Sequence, residues 1–163
     1  MCLGVLSLPL REHWFRDSVF RADSWRNRAR ARVGARKGLG YNREVVSAKR
    51  RLLFICTANQ NRSPTAEALL ARSQRYEARS AGVSPLATRP VTRDLVEWAD
   101  LIFVMDERYD RHRTQLLELF PEVEGLAEKV IVLNIPDIYE RDSPELIALL
   151  RQRLQQWLPD LDV

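Results

Sequence analysis

Between residues 51 and 163, apolar runs of strand length alternate with stretches of helical period. Residues 52–56 read LLFIC, residues 101–105 LIFVM and residues 130–133 VIVL. Each is a continuous apolar run, the pattern of a parallel strand covered on both faces rather than of a half-exposed one. A shorter strand is expected near 77–81. Helices are expected from Pro64 over about 64–73, then over about 92–98, 108–120 and 143–158. Ser63 before Pro64 and Ser143 before Pro144 supply hydroxyls where helix N-caps need them, and Pro121 and Pro159 stand where helices should stop. Strands separated by helices predict an α/β fold: a doubly wound, four-stranded parallel sheet with helices on both faces and right-handed crossovers.

Residues 1–48 have a different texture. They show neither a 3.6 nor a 2.0 period, and Gly34, Gly38 and Gly40 lie among dense arginines. Residues 1–50 carry 12 Lys and Arg against 4 Asp and Glu, whereas residues 51–163 carry 14 against 18. The division expected is therefore a basic, disordered extension over 1–48, dispensable to the rest, and an α/β domain over 49–163, with a native start near Val45 or Val46 as one origin of the extension. A basic arm can meet nucleic acid or anionic lipid, but a solvated tail is the simpler reading. The opening MCLGVLSLPL lacks the basic residue that precedes a secretory apolar segment. The later RNRARARVGARKG is Arg-rich like a transit peptide, a reading that Glu12, Asp17 and Asp23 oppose. No apolar run approaches the ~20 residues that span a bilayer, so no membrane partner is expected.

Cysteine and histidine are scarce, which narrows the chemistry. Cys2 and Cys56 are the only cysteines and His13 and His112 the only histidines. Two cysteines without a framework fit a reducing, cytoplasmic compartment. Neither a metal nor an organic cofactor is expected. His112 lies on a polar stretch and reads as a surface residue. Oligomeric state has no signature in the sequence.

The first strand ends in Cys56, and the loop that follows reads CTANQNRS through Ser63. A tight loop over a helix N-terminus aims its backbone N–H groups at one point, where an anion is stabilised by the donors and by the helix dipole. Thr57, Ala58, Asn59, Gln60, Asn61 and Arg62 would form such a phosphate-binding loop. The same field favours the thiolate of Cys56, which makes it a candidate nucleophile. Arg62 offers a planar fork for two phosphoryl oxygens, which lysine lacks. Ser63 can donate to the sulfur, and Asn59 and Asn61 tolerate left-handed backbone.

With these residues in place, LFICTANQNRSPTAEALL resembles the loop of the low-molecular-weight protein tyrosine phosphatase family, in which Cys is followed by five residues and then Arg-Ser-Pro. The resemblance extends over residues 51–163 and is nearest to the compact bacterial branch of predicted tyrosine phosphatases. It implies a metal-free hydrolase that acts through a phospho-cysteine on a phosphotyrosine-containing protein or a small aryl phosphate. By the same resemblance Cys56 is the nucleophile, Arg62 the phosphate clamp, Ser63 the thiolate-stabilising hydroxyl and Asn59 the loop organiser. Ala58 replaces the family's usual glycine, and Asn61 a frequent second cysteine. The family's acid lies in an Asp-Pro-aromatic loop; here IPDIYERDSPEL makes Asp137 the match, with Ile138 in place of Pro, Asp142 the rival and Tyr139 a candidate lining residue.

Asp137 also follows the third strong strand, and ligands of parallel sheets bind beyond the carboxyl ends of the strands. Two other functions fit the same loop. A phosphate-binding pseudophosphatase module is suggested by Ala58, Ile138 and the short body. Arsenate reductase would need further thiols, and only Cys2 is offered.

Overall fold

The computed structural model describes residues 48–159 and 161. Strand β1 (Arg50–Cys56) is followed by α1 (Arg62–Leu69), β2 (Tyr76–Gly82), α2 (Arg93–Trp98), β3 (Leu101–Val104), α3 (His112–Leu119), α4 (Leu126–Lys129), β4 (Val130–Val132) and α5 (Pro144–Leu154). The four strands form one parallel sheet in the order β2-β1-β3-β4. The expected α/β architecture is the observed one. The extension over 1–48 lies, apart from Ala48, outside the described residues.

The apolar runs are buried because alternate residues serve opposite faces. From β1, Leu52, Phe54 and Cys56 join one core with Leu70 of the α1 end and Leu146, Leu150 and Leu154 of α5. Leu53 and Ile55 point into the other, with Val96 of α2, Leu116 of α3 and Leu126 of α4. Phe54 stacks on Phe103 across β1 and β3, ring centroids 5.4 Å apart. Among the described residues no helix is long and apolar enough to cross a membrane.

Several element boundaries differ from expectation, among them the end of α1, which closes at Leu69 rather than near 73. Helix α1 begins at Arg62, with Asn61 at the N-cap and Ser63 already inside the first turn, so Ser63 is not the cap. The helix expected over 108–120 starts only at His112. Residues 106–111 instead fold around the Asp106 carboxylate, which accepts the N–H groups of Tyr109 at 2.6 Å and Asp110 at 3.0 Å. Arg111 then turns left-handed at φ 51°. Glu107, not the N-cap residue, accepts the first free N–H groups of α3, from Arg113 at 2.8 Å and Thr114 at 3.2 Å. The last helix closes at Leu154 rather than near 158. Ser143 does cap it, accepting from the Leu146 N–H.

Candidate active site

The chain leaves β1 at Cys56 and enters α1 at Arg62, which places the intervening loop beyond the carboxyl end of the sheet, over the N-terminus of α1. Asn59 takes the left-handed backbone, φ 54°, that asparagine tolerates; Asn61 does not, at φ −113°. The loop turns back far enough for the Asn59 N–H to donate to Cys56 Sγ over 3.2 Å. Among the described residues, the backbone N–H groups of Ala58, Gln60, Asn61 and Arg62 have no partner within the protein. These are the donors a helix N-terminus presents to an anion.

Behind the sulfur lies a buried polar chain. Ser63 Oγ is 3.0 Å from Cys56 Sγ, and the Asn59 side-chain amide donates to Ser63 Oγ at 3.0 Å and to Ser80 Oγ at 2.9 Å. Ser80 donates in turn to the Glu67 carboxylate at 2.5 Å. A carboxylate only accepts, so the direction of the chain is set from that end: Ser80 must receive from Asn59, and Ser63, having received from Asn59, keeps its own hydrogen for the sulfur or for the Ala81 carbonyl, 3.3 Å away. The sheet side of the loop is equally close: a Cβ on Gly82 would lie 2.5 Å from the Thr57 carbonyl oxygen, so that position demands glycine.

Arg62 is 1% exposed, unusual for an arginine, and is paid for by three acceptors. Its Nη1 donates to Asp110 Oδ2 at 2.8 Å and to the Ile135 carbonyl at 3.1 Å. Its Nε lies 3.0 Å from Asp137 Oδ1. Asp110 and Asp137 are 26% and 58% exposed, so both carboxylates reach Arg62 from the solvent side. Asp142 is placed otherwise: its N–H donates to Thr65 Oγ1 and its carboxylate faces Arg141.

The loop residues named from the sequence are thus adjacent, and Asp137 joins them at Arg62. Tyr139 packs half-buried against the core on the α1 and α5 face, and Ile138 beside it is exposed. Sequence reasoning missed Asp110 and misplaced His112, which is not a surface residue but fully buried. Its Nδ1 accepts the Asp106 N–H at 3.0 Å and its Nε2 lies 2.9 Å from Thr57 Oγ1. Burial, and then the positive charge of Arg62, push the imidazole below its ordinary pKa, against the opposing pull of the Asp110 and Asp106 carboxylates. A signal was available for both: they follow the buried run that ends at Met105, and the rule about strand ends applied to Cys56 and Asp137 holds equally there.

Comparison with known proteins finds similar chains and folds. The family model for low molecular weight phosphotyrosine protein phosphatase matches residues 51–98. A protein-arginine-phosphatase from Bacillus subtilis is 30% identical over 146 residues, 67% of this chain and 97% of that protein. Among solved structures, the YwlE arginine phosphatase from Geobacillus stearothermophilus is 26% identical with a TM-score of 0.50, covering 68% of this chain and 93% of its own. The tyrosine phosphatase Wzb from Escherichia coli K30, in complex with phosphate, is 28% identical with a TM-score of 0.54, covering 68% and 97%.

Proposed function

Because the chain belongs to the low molecular weight phosphotyrosine protein phosphatase family of cysteine-based hydrolases, we propose that it dephosphorylates protein side chains through a phospho-cysteine on Cys56, with phosphotyrosine as the first substrate to test. The observation that carries this reading is the buried Cys56 sulfur held by the Asn59 N–H and the Ser63 hydroxyl beneath a loop of unpaired N–H donors. In the first step the thiolate attacks phosphorus, the S–P bond forms and the P–O bond of the ester breaks. Asp137 gives its proton to the departing oxygen. In the second step a water attacks phosphorus, Asp137 accepts its proton, and the S–P bond breaks to return the thiolate and release inorganic phosphate. Ser63 donates to the sulfur as it regains charge. Arg62 holds two phosphoryl oxygens through both steps, exchanging carboxylate partners for the phosphoryl group.

A second substrate class, phosphoarginine, is favoured by the 30% identity to an arginine phosphatase and by two carboxylates beside Arg62, which suit a guanidinium leaving group. There the bond broken is P–N. Rates on para-nitrophenyl phosphate, on a phosphotyrosine peptide and on a phosphoarginine peptide separate the two classes. Cys56→Ser should lower all of these rates by on the order of 10⁴-fold or more. Turnover equal to that of the parent overturns the mechanism.

A further inference from the structure

His112 is a fully buried titratable side chain to which the proposed reaction gives no task. Both ring nitrogens are nevertheless engaged, and they face different loops. The Asp106 N–H can only donate, so Nδ1, which receives it at 3.0 Å, carries no proton. A neutral ring then holds its hydrogen on Nε2 and donates it to Thr57 Oγ1 at 2.9 Å. Thr57 is the residue directly after Cys56.

We infer that His112 is a positioning residue for the phosphate loop, tying the Cys56–Thr57 turn to the end of β3 so that the loop's backbone donors stay aimed at one anion. The identity of that anion as a phosphoryl group rests on the function proposed above. Three observations support the role. The Thr57 side chain belongs to an exposed residue, so water was open to it as a partner and packing did not force the bond. The segment that carries His112 also carries Asp110, which holds Arg62 at the other end of the loop. One stretch after β3, stiffened by the Asp106 and Glu107 carboxylates on its own backbone, therefore grips both ends of the loop. Finally, the charged groups facing the ring are Arg62 from α1 and Asp106 and Asp110 from its own segment. Burial and Arg62 outweigh the two carboxylates, which keeps the ring neutral and Nδ1 free to accept.

Orthovanadate binding, read as protection of Cys56 from iodoacetamide in the full-length protein, reports on the anion cradle independently of turnover. His112→Phe keeps an aromatic ring but removes both bonds. It should weaken vanadate binding and raise the KM for para-nitrophenyl phosphate about tenfold, roughly one hydrogen bond's net worth, while kcat changes by less than about threefold. Should that variant fail to fold, Thr57→Val removes the same bond from an exposed residue and should weaken vanadate similarly, with Thr57→Ser closer to the parent. The double variant should be no weaker than the worse single one, because the Thr57–His112 bond is already lost in either. Single effects that multiply in the double variant, or vanadate binding within about twofold of the parent in every folded variant, overturn the role. Absent turnover with this vanadate pattern intact would instead count against the phosphatase reading alone.

Discussion

The two ends of the phosphate loop are held by different means. At the Cys56 end the contacts are neutral and buried: a backbone N–H, the Ser63 hydroxyl and the Asn59 amide, arranged in one direction by Glu67. At the Arg62 end two of the three are ionic and reach in from solvent, through Asp110 and Asp137, beside the neutral Ile135 carbonyl. The difference suits what the proposed reaction asks of each end. There the sulfur takes on and gives up charge, and fixed dipoles can support it without changing partners. In that proposal Arg62 exchanges a carboxylate for a phosphoryl group, which is feasible only if the carboxylate can be rehydrated when displaced. A fully buried carboxylate would resist that exchange.

Perturbing each end tests this division. After Cys56→Ser, the largest effect is expected at the ionic end from Arg62→Lys, which keeps the charge and loses the fork; turnover should fall by about 10²-fold or more. A variant within about twofold of the parent would remove Arg62 from its assigned role. Asp137→Asn should slow alkyl phosphates by about 10² to 10⁴-fold and para-nitrophenyl phosphate much less, since an activated phenolate leaves without a proton. If Asp142→Asn shows that leaving-group dependence and Asp137→Asn does not, the acid is at 142. At the neutral end, Ser63→Ala should cost roughly tenfold to 10²-fold and act mainly on hydrolysis of the phospho-cysteine. Rapid-quench measurement should then show a larger burst relative to steady state; an unchanged partition would refute the donor role.

The smallest effect concerns pH. The His112 imidazole is held below its ordinary value of 6.5 in the folded protein, so between the two values the unfolded chain binds more protons than the folded one. Its contribution to stability is whole above pH 6.5 and is lost as pH falls through the lower, folded value. Melting temperature should drop on going from pH 7.5 to 5.5, and the slope should flatten in His112→Phe. An identical slope in that variant would assign the acid sensitivity to other groups.

The local part of the site was legible because its members are neighbours in sequence. Cys56, Asn59, Arg62 and Ser63 fall within one strand-to-helix turn, and the chemistry of such a turn follows from its spacing. The apolar runs of β1, β3 and β4 were equally plain, since a strand covered on both faces has no polar position to disguise it. Asp110 and His112 were not legible in the same way. They lie about 50 residues from the loop; their place after the run ending at Met105 marked the strand end, but the helical spacing of that polar stretch hid that Asp106 folds residues 106–111 around its own carboxylate and that the imidazole is buried. The sequence alone determined the strand-to-helix turn that carries Cys56 and Arg62 and the order of elements, both set by contacts short in sequence or by burial pattern. Only the tertiary structure decided which carboxylates meet Arg62 and where His112 points, because those contacts arise when the separate ends of β1, β3 and β4 are brought side by side in the sheet.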